Sequence, residues 1–328
     1  IAAMNREKQC HQKGTFGEEW SGDGQCPKAI PAGWVFKIKH RGDPIEEKDL
    51  QTKQYKARVV IRGQYMREGL DFNDTFAPVA KPSTIRAIFA LAAKHNCLLK
   101  AGDVETAFLA AEMDCEVWVR MPPYWAAGTE DITGDKCELA PRRLLKGVPG
   151  IPQGSRLFYD TFADYLKSIG WYPSVADSCL FLNSELTELC AVVLWVDDFI
   201  FLHQKEHTWQ QFISALCKRF SIPTVGALTS FLGMQIVTEQ HRLQITQSTT
   251  IKNLLERAGM QDSNSIWSPA LAGLVWTKKD QPDPPETPDK CTQYRALVAL
   301  ANFIANWTRP DITYVVNKLC KYMSNPGA

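Results

Sequence analysis

Two adjacent acids, Asp197 and Asp198, interrupt the apolar run AVVLWVDDFIFL, and a third, Asp103, closes the segment LLKAGD. Neighbouring carboxylates are costly to bury unless a cation or another partner compensates them. A strand-turn-strand with the acids at its tip would present them at a sheet end, where a divalent ion can sit. The same letters fit an ordinary Asp-Asp surface turn, and Asp103 also fits a loop acid or a helix cap. Three carboxylates from two separate strands suit hard cations with oxygen ligands, Mg²⁺ in particular. Two such ions clamp the attacking and leaving oxygens of a phosphoryl transfer. That chemistry needs positioning and charge neutralisation more than acid–base residues. No G-x-S-x-G, H-E-x-x-H or C-x-x-C pattern and no glycine-rich phosphate loop occurs.

The elements that would carry these acids are mixed. WVFKIK (34–39) and YKARVVIRG (55–63) read as two strands of a hairpin, with turn and charge signals in HRGDPIEEKD between them. TIRAIFALAAKH (84–95) reads as a helix capped by Ser83 or Thr84. LLKAGDVETAFLAA (98–111) reads as a strand running into a helical turn, and VWVRMPP (117–123) as a short strand closed by prolines. Helical spacing marks 155–171, 207–220, 249–260, 294–307 and 311–324. The run 189–202 reads as a buried hairpin or, alternatively, a helix. Alternation over 231–247 gives a second hairpin. Hairpins and helices without a βαβα rhythm indicate an α+β fold rather than a doubly wound sheet. The first thirty residues look irregular, and 278–290 is an acidic Pro-rich linker.

With 45% hydrophobic residues and a net charge of +1 over 328 residues, the chain can build a sizeable core and is not disordered. No run of eighteen apolar residues suggests a membrane span, and IAAMNREKQC carries no apolar signal region. The ten cysteines read as reduced, mostly buried thiols. Near-neutrality argues weakly against bulk nucleic-acid binding, but it is a sum over opposed regions. Residues 34–70 hold nine Lys/Arg against five acids, and 280–289 hold four acids and no Lys or Arg. Such a distribution does not exclude nucleic acid, and any grip it gave would be weak and salt-sensitive.

In order along the chain stand WVFKIK, YKARVVIRGQ, GLDFNDTFAPVAKPSTIR, GDVETAFL, VWVRMPP, GVPGIPQGSRLFYDTF, LWVDDFIF, FLGMQI and YRALVALANFIANWTRPDITYVVNKL. Together they cover about residues 31–325, and the chain resembles the reverse transcriptase domain of copia-type LTR retrotransposon polyproteins.

The resemblance implies a right-hand polymerase with an antiparallel-sheet palm. Fingers would occupy 31–97 and 111–150, and palm 98–110 and 151–238. A thumb-like region would occupy 239–277, and the start of a connection region 291–328. The implied activity is RNA-directed DNA polymerisation by two Mg²⁺ ions, with Mn²⁺ as the alternative ion. Asp103, Asp197 and Asp198 would be the catalytic acids, with Val104 joining them at the metals. Lys56, Arg58, Val104, Phe108, Gln153 and Gly154 would meet the deoxynucleotide. Phe108 fits the position that excludes a ribose 2′-hydroxyl, and it also fits a plain core residue. Gly233 and Met234 would contact the primer, unless they only close a hairpin. Implied partners are an RNA or DNA template with primer, dNTPs, and the protease, integrase and RNase H of a Gag-Pol-type polyprotein. No membrane is implied, the expected location is a cytoplasmic virus-like particle, and no RNase H activity is expected of these residues. The alternatives are an inactive nucleic-acid-binding relic and a structural protein derived from such an element. Trp195 stands where the family usually has Tyr, GSR (154–156) where it has a small residue before Pro-Arg, and SIPTVGALTSFLG offers no lysine as a general acid.

Overall fold

The apolar run 189–202 folds as a hairpin because both its arms are buried. In the computed structural model, Ala191–Trp195 and Asp198–His203 are antiparallel strands, and Ala191–Leu194 and Phe199–His203 are all buried. The structure describes residues 2–11, 14–22, 28–40, 53–125, 140–270, 273, 277, 281–282 and 285–326. The described chain divides into two units, 1–92 with 97–227, and 93–96 with 228–328.

The first unit opens with helix α1 (Ala2–His11) and strand β1 (Phe16–Glu19), where irregular chain was expected. The helix has no strong apolar stripe to reveal it. It is held instead by polar side chains against strand β3 (Lys53–Ile61), which pairs with β2 (Ala29–His40) with Trp34 opposite Val59. The anticipated hairpin turn at 41–52 lies outside the described residues. Helix α2 (Pro82–His95) follows, then β4 (Leu98–Asp103), β5 (Glu112–Arg120) and β6 (Arg142–Lys146). Next come helix α3 (Gly154–Ser168), β7 (Tyr172–Pro173), β8 (Leu180–Leu182), β9 (Ala191–Trp195) and β10 (Asp198–His203). Helix α4 (Glu206–Leu216) and β11 (Thr224–Ala227) complete the unit.

These strands make a five-stranded sheet ordered β1-β6-β5-β2-β3 and a six-stranded sheet ordered β11-β4-β10-β9-β8-β7. The pairings are antiparallel apart from β2 with β5, so the α+β class with antiparallel sheets holds. Phe199 and Phe201 of β10 point into a core shared with Phe158 and Phe162 of α3 and Phe212 of α4. The Phe201 and Phe212 rings stack at 4.4 Å. Helix α2 is not capped by its own serine or threonine. Buried Asp177, far along the chain, accepts from the Lys81 N–H at 2.9 Å and from the Thr84 hydroxyl at 2.6 Å.

The second unit contains β12 (Ser230–Phe231), β13 (Met234–Glu239) and β14 (Arg242–Thr246) in one antiparallel sheet. Helices α5 (Ser248–Arg257), α6 (Pro288–Trp307) and α7 (Thr313–Cys320) follow. Helix α6 starts inside the expected linker because Pro288 suits the first helical turn. Among the described residues eight cysteines are free thiols. Four are buried (Cys97, Cys179, Cys190, Cys291) and only Cys217 is fully exposed. Burial pushes the Cys179 thiol up to about 12 and the Cys190 thiol up to about 11. No described helix is long and apolar enough to cross a membrane.

Candidate active site

Asp103 ends β4 and Asp198 begins β10, and the two are directly opposite in the antiparallel ladder. Asp198 also pairs with Trp195 of β9, so Val196 and Asp197 form a two-residue hairpin turn. Val196 sits at φ +58° in that turn. This conformation is strained for a β-branched residue. The two adjacent acids therefore differ: Asp197 is an exposed turn residue, and Asp198 a half-buried strand residue. The approach of β4 to β10 depends on Gly102, because a Cβ there would lie 2.5 Å from the Phe199 ring. The Val104 N–H donates to the Asp197 carbonyl at 3.0 Å, locking the two acid-bearing segments together.

The chain then turns sharply. Glu105 N–H donates to the Ser221 carbonyl at 2.9 Å, and the Ser221 hydroxyl donates to the Glu105 carboxylate at 3.0 Å. Thr106, at φ +53°, leads into a 3₁₀ turn over Ala107–Ala110. Val104 and Glu105 have thus spent their amides inside the protein. The first amides of the 3₁₀ turn, by contrast, lack intrahelical partners. Phe108 lies in this turn, half-buried, and Gly154 makes room for its ring. A Cβ at Gly154 would stand 3.2 Å from Phe108 Cδ1.

A cavity of about 390 Å³ opens here. Its walls include Asp103, Val104, Phe108, Asp197, Lys56 and Arg58, together with Glu105 and part of α1, which sequence reasoning did not single out. A glutamate two residues after Asp103 was the available signal for Glu105; nothing in the sequence of α1 pointed to the site. A second cavity of about 250 Å³ shares Phe108 and Asp197 with the first and is also lined by Thr75, Pro78, Tyr159 and Val196. Asp198 lines neither cavity. Burial first, then the charges of Asp197 and Asp103, push its carboxyl up to about 6.

Gln153 is wholly buried, donates from Nε2 to the Asp71 carbonyl at 3.2 Å, and lines neither cavity. Gly233 and Met234 belong to the second unit. Leu232 and Gly233, at φ +49° and +74°, turn β12 into β13. The Met234 side chain is fully buried. Arg156 ties Asp114, Asp160 (3.1 Å) and the Asp74 carbonyl (2.8 Å) together.

A family model described as "Reverse transcriptase (RNA-dependent DNA polymerase)" matches residues 23–272. The chain belongs to the reverse transcriptase family. The resemblance to copia-type elements is borne out by relatives of this chain among plant transposons. It is 29% identical over 334 residues to the Retrovirus-related Pol polyprotein from transposon TNT 1-94 of Nicotiana tabacum, covering 100% of this chain and 24% of that protein. It is 29% identical to the Retrovirus-related Pol polyprotein from transposon RE2 of Arabidopsis thaliana, covering 89% of this chain and 19% of that one. The Transposon Ty1-H Gag-Pol polyprotein of Saccharomyces cerevisiae is 23% identical over 83% of this chain and 15% of its own length. The chain thus spans about a quarter or less of these polyproteins. Among solved structures, that of a foamy viral protease-reverse transcriptase in complex with ds DNA matches at 14% identity and a TM-score of 0.46, covering 100% of this chain and 44% of the other.

Proposed function

We propose that this chain is a template-directed DNA polymerase that adds deoxynucleotides to a primer 3′-hydroxyl on an RNA or DNA template. The observation that carries the reading is one cavity lined together by Asp103, Asp197, Arg58, Lys56 and Phe108. Carboxylates, cations and an aromatic wall are the three surfaces a metal-bound nucleoside triphosphate needs.

The donor set fits Mg²⁺, or Mn²⁺. Among the described residues no group of three or more His, Cys, Asp or Glu forms a metal cage. Mg²⁺ commonly uses one or two carboxylates and completes its shell with substrate phosphates and water. Asp103 and Asp197, with the Val104 carbonyl, would hold the ions. When bound, the ions would lower the pKa of the attacking hydroxyl and neutralise charge on the triphosphate.

The other residues orient the nucleotide. Arg58 offers a bidentate fork to phosphate oxygens, and Lys56 adds a point charge. The amides opening the 3₁₀ turn at Ala107 offer backbone donors. Phe108, fixed against Gly154, stands where a ribose 2′-hydroxyl would collide with its ring. Asp198 keeps the β4–β10 junction in register, and Gln153 braces the segment around Asp71. Gly233 shapes the turn proposed to face the primer, and with the Met234 side chain buried, its backbone would make that contact.

In this reading the first unit carries fingers and palm, and the second carries the thumb-like region and the start of the connection. The partners are a primed template, dNTPs, and the protease, integrase and RNase H of a Gag-Pol-type polyprotein within a virus-like particle. Residues 1–328 are proposed to polymerise without cleaving the RNA of a hybrid. The test is primer extension on an RNA template with Mg²⁺, using Asp197→Asn as control. Wild type extending no better than this variant would defeat the proposal.

A further inference from the structure

Strand β3 is an edge of the five-stranded sheet, so alternate backbone groups on its outer side have no neighbouring strand. Helix α1 meets that edge with side chains. Arg6 Nη2 donates to the Tyr55 carbonyl at 3.2 Å, and the Glu7 carboxylate accepts from the Val59 N–H at 2.9 Å. Further contacts fix the helix. Lys8 Nζ donates to the Tyr124 carbonyl at 2.8 Å. His11 is buried, 3.3 Å from Glu7, with its ring 5.4 Å from Phe16 and 6.0 Å from Trp125.

The face of α1 bearing Ala3, Arg6, Glu7 and Cys10 has i, i+3, i+4, i+7 spacing, and it lines the cavity that holds Asp103 and Asp197. Arg6 is exposed there, and none of the described ion pairs holds it. Its one described hydrogen bond goes to a neutral carbonyl and occupies one of five guanidinium donors. Arg58 lines the same cavity; burial raises the Glu7 carboxyl, but His11, the Val59 N–H and, least of these, the Arg58 charge lower it.

We infer that α1 is a wall of the nucleotide site and that Arg6 is a second guanidinium contact for the triphosphate tail, on the cavity that also holds the acids and Arg58. The inference rests on the nucleotide reading of this cavity. It also goes past the family pattern, because α1 precedes the matched residues 23–272. Two guanidiniums from different elements would grip a polyphosphate from two directions, which a single strand-borne arginine cannot do.

The test titrates dTTP in extension of oligo(dT) on poly(rA), and measures dTTP binding to the primed complex, with the 328-residue chain. Arg6→Ala is expected to raise KM for dTTP about tenfold, the size of one lost charge-assisted hydrogen bond. Its kcat should be unchanged, as for an interaction made equally in ground and transition states. Arg6→Lys should recover part of the loss. Lys8→Ala, which loosens α1 but keeps the Arg6 guanidinium, should raise KM less than Arg6→Ala does. Arg6→Ala with an unchanged or lower KM, while Arg58→Ala raises it, overturns the inference and leaves the nucleotide reading standing. Equal rises in Arg6→Ala and Lys8→Ala also overturn it, because helix docking would then be the cause. Wild type that neither binds nor incorporates dTTP defeats both.

Discussion

Asp103 and Asp198 stand directly opposite each other where β4 meets β10, and Asp197 sits one residue earlier in the tight turn. The register sorts three acids into two kinds. Asp103 and Asp197 share a cavity wall, and Asp198 is withdrawn into the ladder. Substituting the first two should therefore differ in effect from substituting the third. Asp103→Asn and Asp197→Asn are expected to lower primer extension by at least about 10³-fold, equivalent to the several kcal/mol that metal-borne charge stabilisation supplies. Asp198→Asn should lose markedly less. Single-nucleotide incorporation rates for the three variants, side by side, check this. Equal losses would contradict the division.

Asp198 also makes a stability prediction with a definite sign. Its folded carboxyl lies near 6, against an ordinary 3.8. Between those values the folded state binds more protons than the unfolded chain, so stability falls as pH rises through that window. The penalty is absent below about pH 4 and complete above about pH 6. It should amount to about 1–2 kcal/mol once solvent screening of a partly exposed group is allowed for. In the presence of EDTA, Asp198→Asn should match wild type at pH 4 and melt several degrees higher at pH 7. Added Mg²⁺ should narrow that gap at pH 7 by relieving the same repulsion in wild type. Thermal melts of the two proteins across pH 4–8 are the measurement.

Phe108 and Gly154 form a second close pair. The missing Cβ at Gly154 leaves space for the Phe108 ring, and an added methyl would stand 3.2–3.4 Å from two of its carbons. Phe108→Ala should admit ribonucleotides, lowering dNTP-over-rNTP discrimination at least about tenfold, in the range set by one apolar contact in a pocket. Gly154→Ala pushes the ring toward the sugar and should instead depress dNTP incorporation without improving rNTP use. The ratio of kcat/KM for dTTP and UTP reads both outcomes.

What the sequence revealed depended on whether the cause was local. The β9–β10 hairpin and its acids are legible because an apolar run broken by Asp-Asp is a local anomaly with few structural solutions. The β13–β14 hairpin is legible from alternation, whereas Phe108 is singled out only through the family resemblance. Helix α1 was missed because AAMNREKQCH carries no strong apolar stripe. Its stability comes from a strand edge about fifty residues away. The cap of α2 was misassigned to Ser83 or Thr84 for the same reason, because Asp177 reaches it through tertiary structure. Gln153 shows the limit of motif position: the residue stands where expected in the chain, yet packing has turned its amide inward to Asp71.

The Val196 backbone provides the last test. A β-branched residue at φ +58° is held in a sparsely populated region at a cost of about 1–2 kcal/mol. Glycine adopts that conformation without steric penalty but loses more chain entropy on folding, about 0.5–1 kcal/mol. Val196→Gly should therefore be neutral to stabilising by up to about 1 kcal/mol, unlike most large-to-small substitutions. Activity should move the other way. The Val196 side chain lines the cavity shared by Phe108 and Asp197, and the stiff turn holds the Asp197 carboxylate in place. A glycine turn would let that carboxylate wander, and misplacement by about 1 Å can cost about 10²-fold in rate. Denaturant unfolding and single-turnover incorporation on the same preparation decide it. Equal or higher stability with slower incorporation supports a turn whose strain serves catalysis, and a parallel fall in both would make Val196 a simple packing residue.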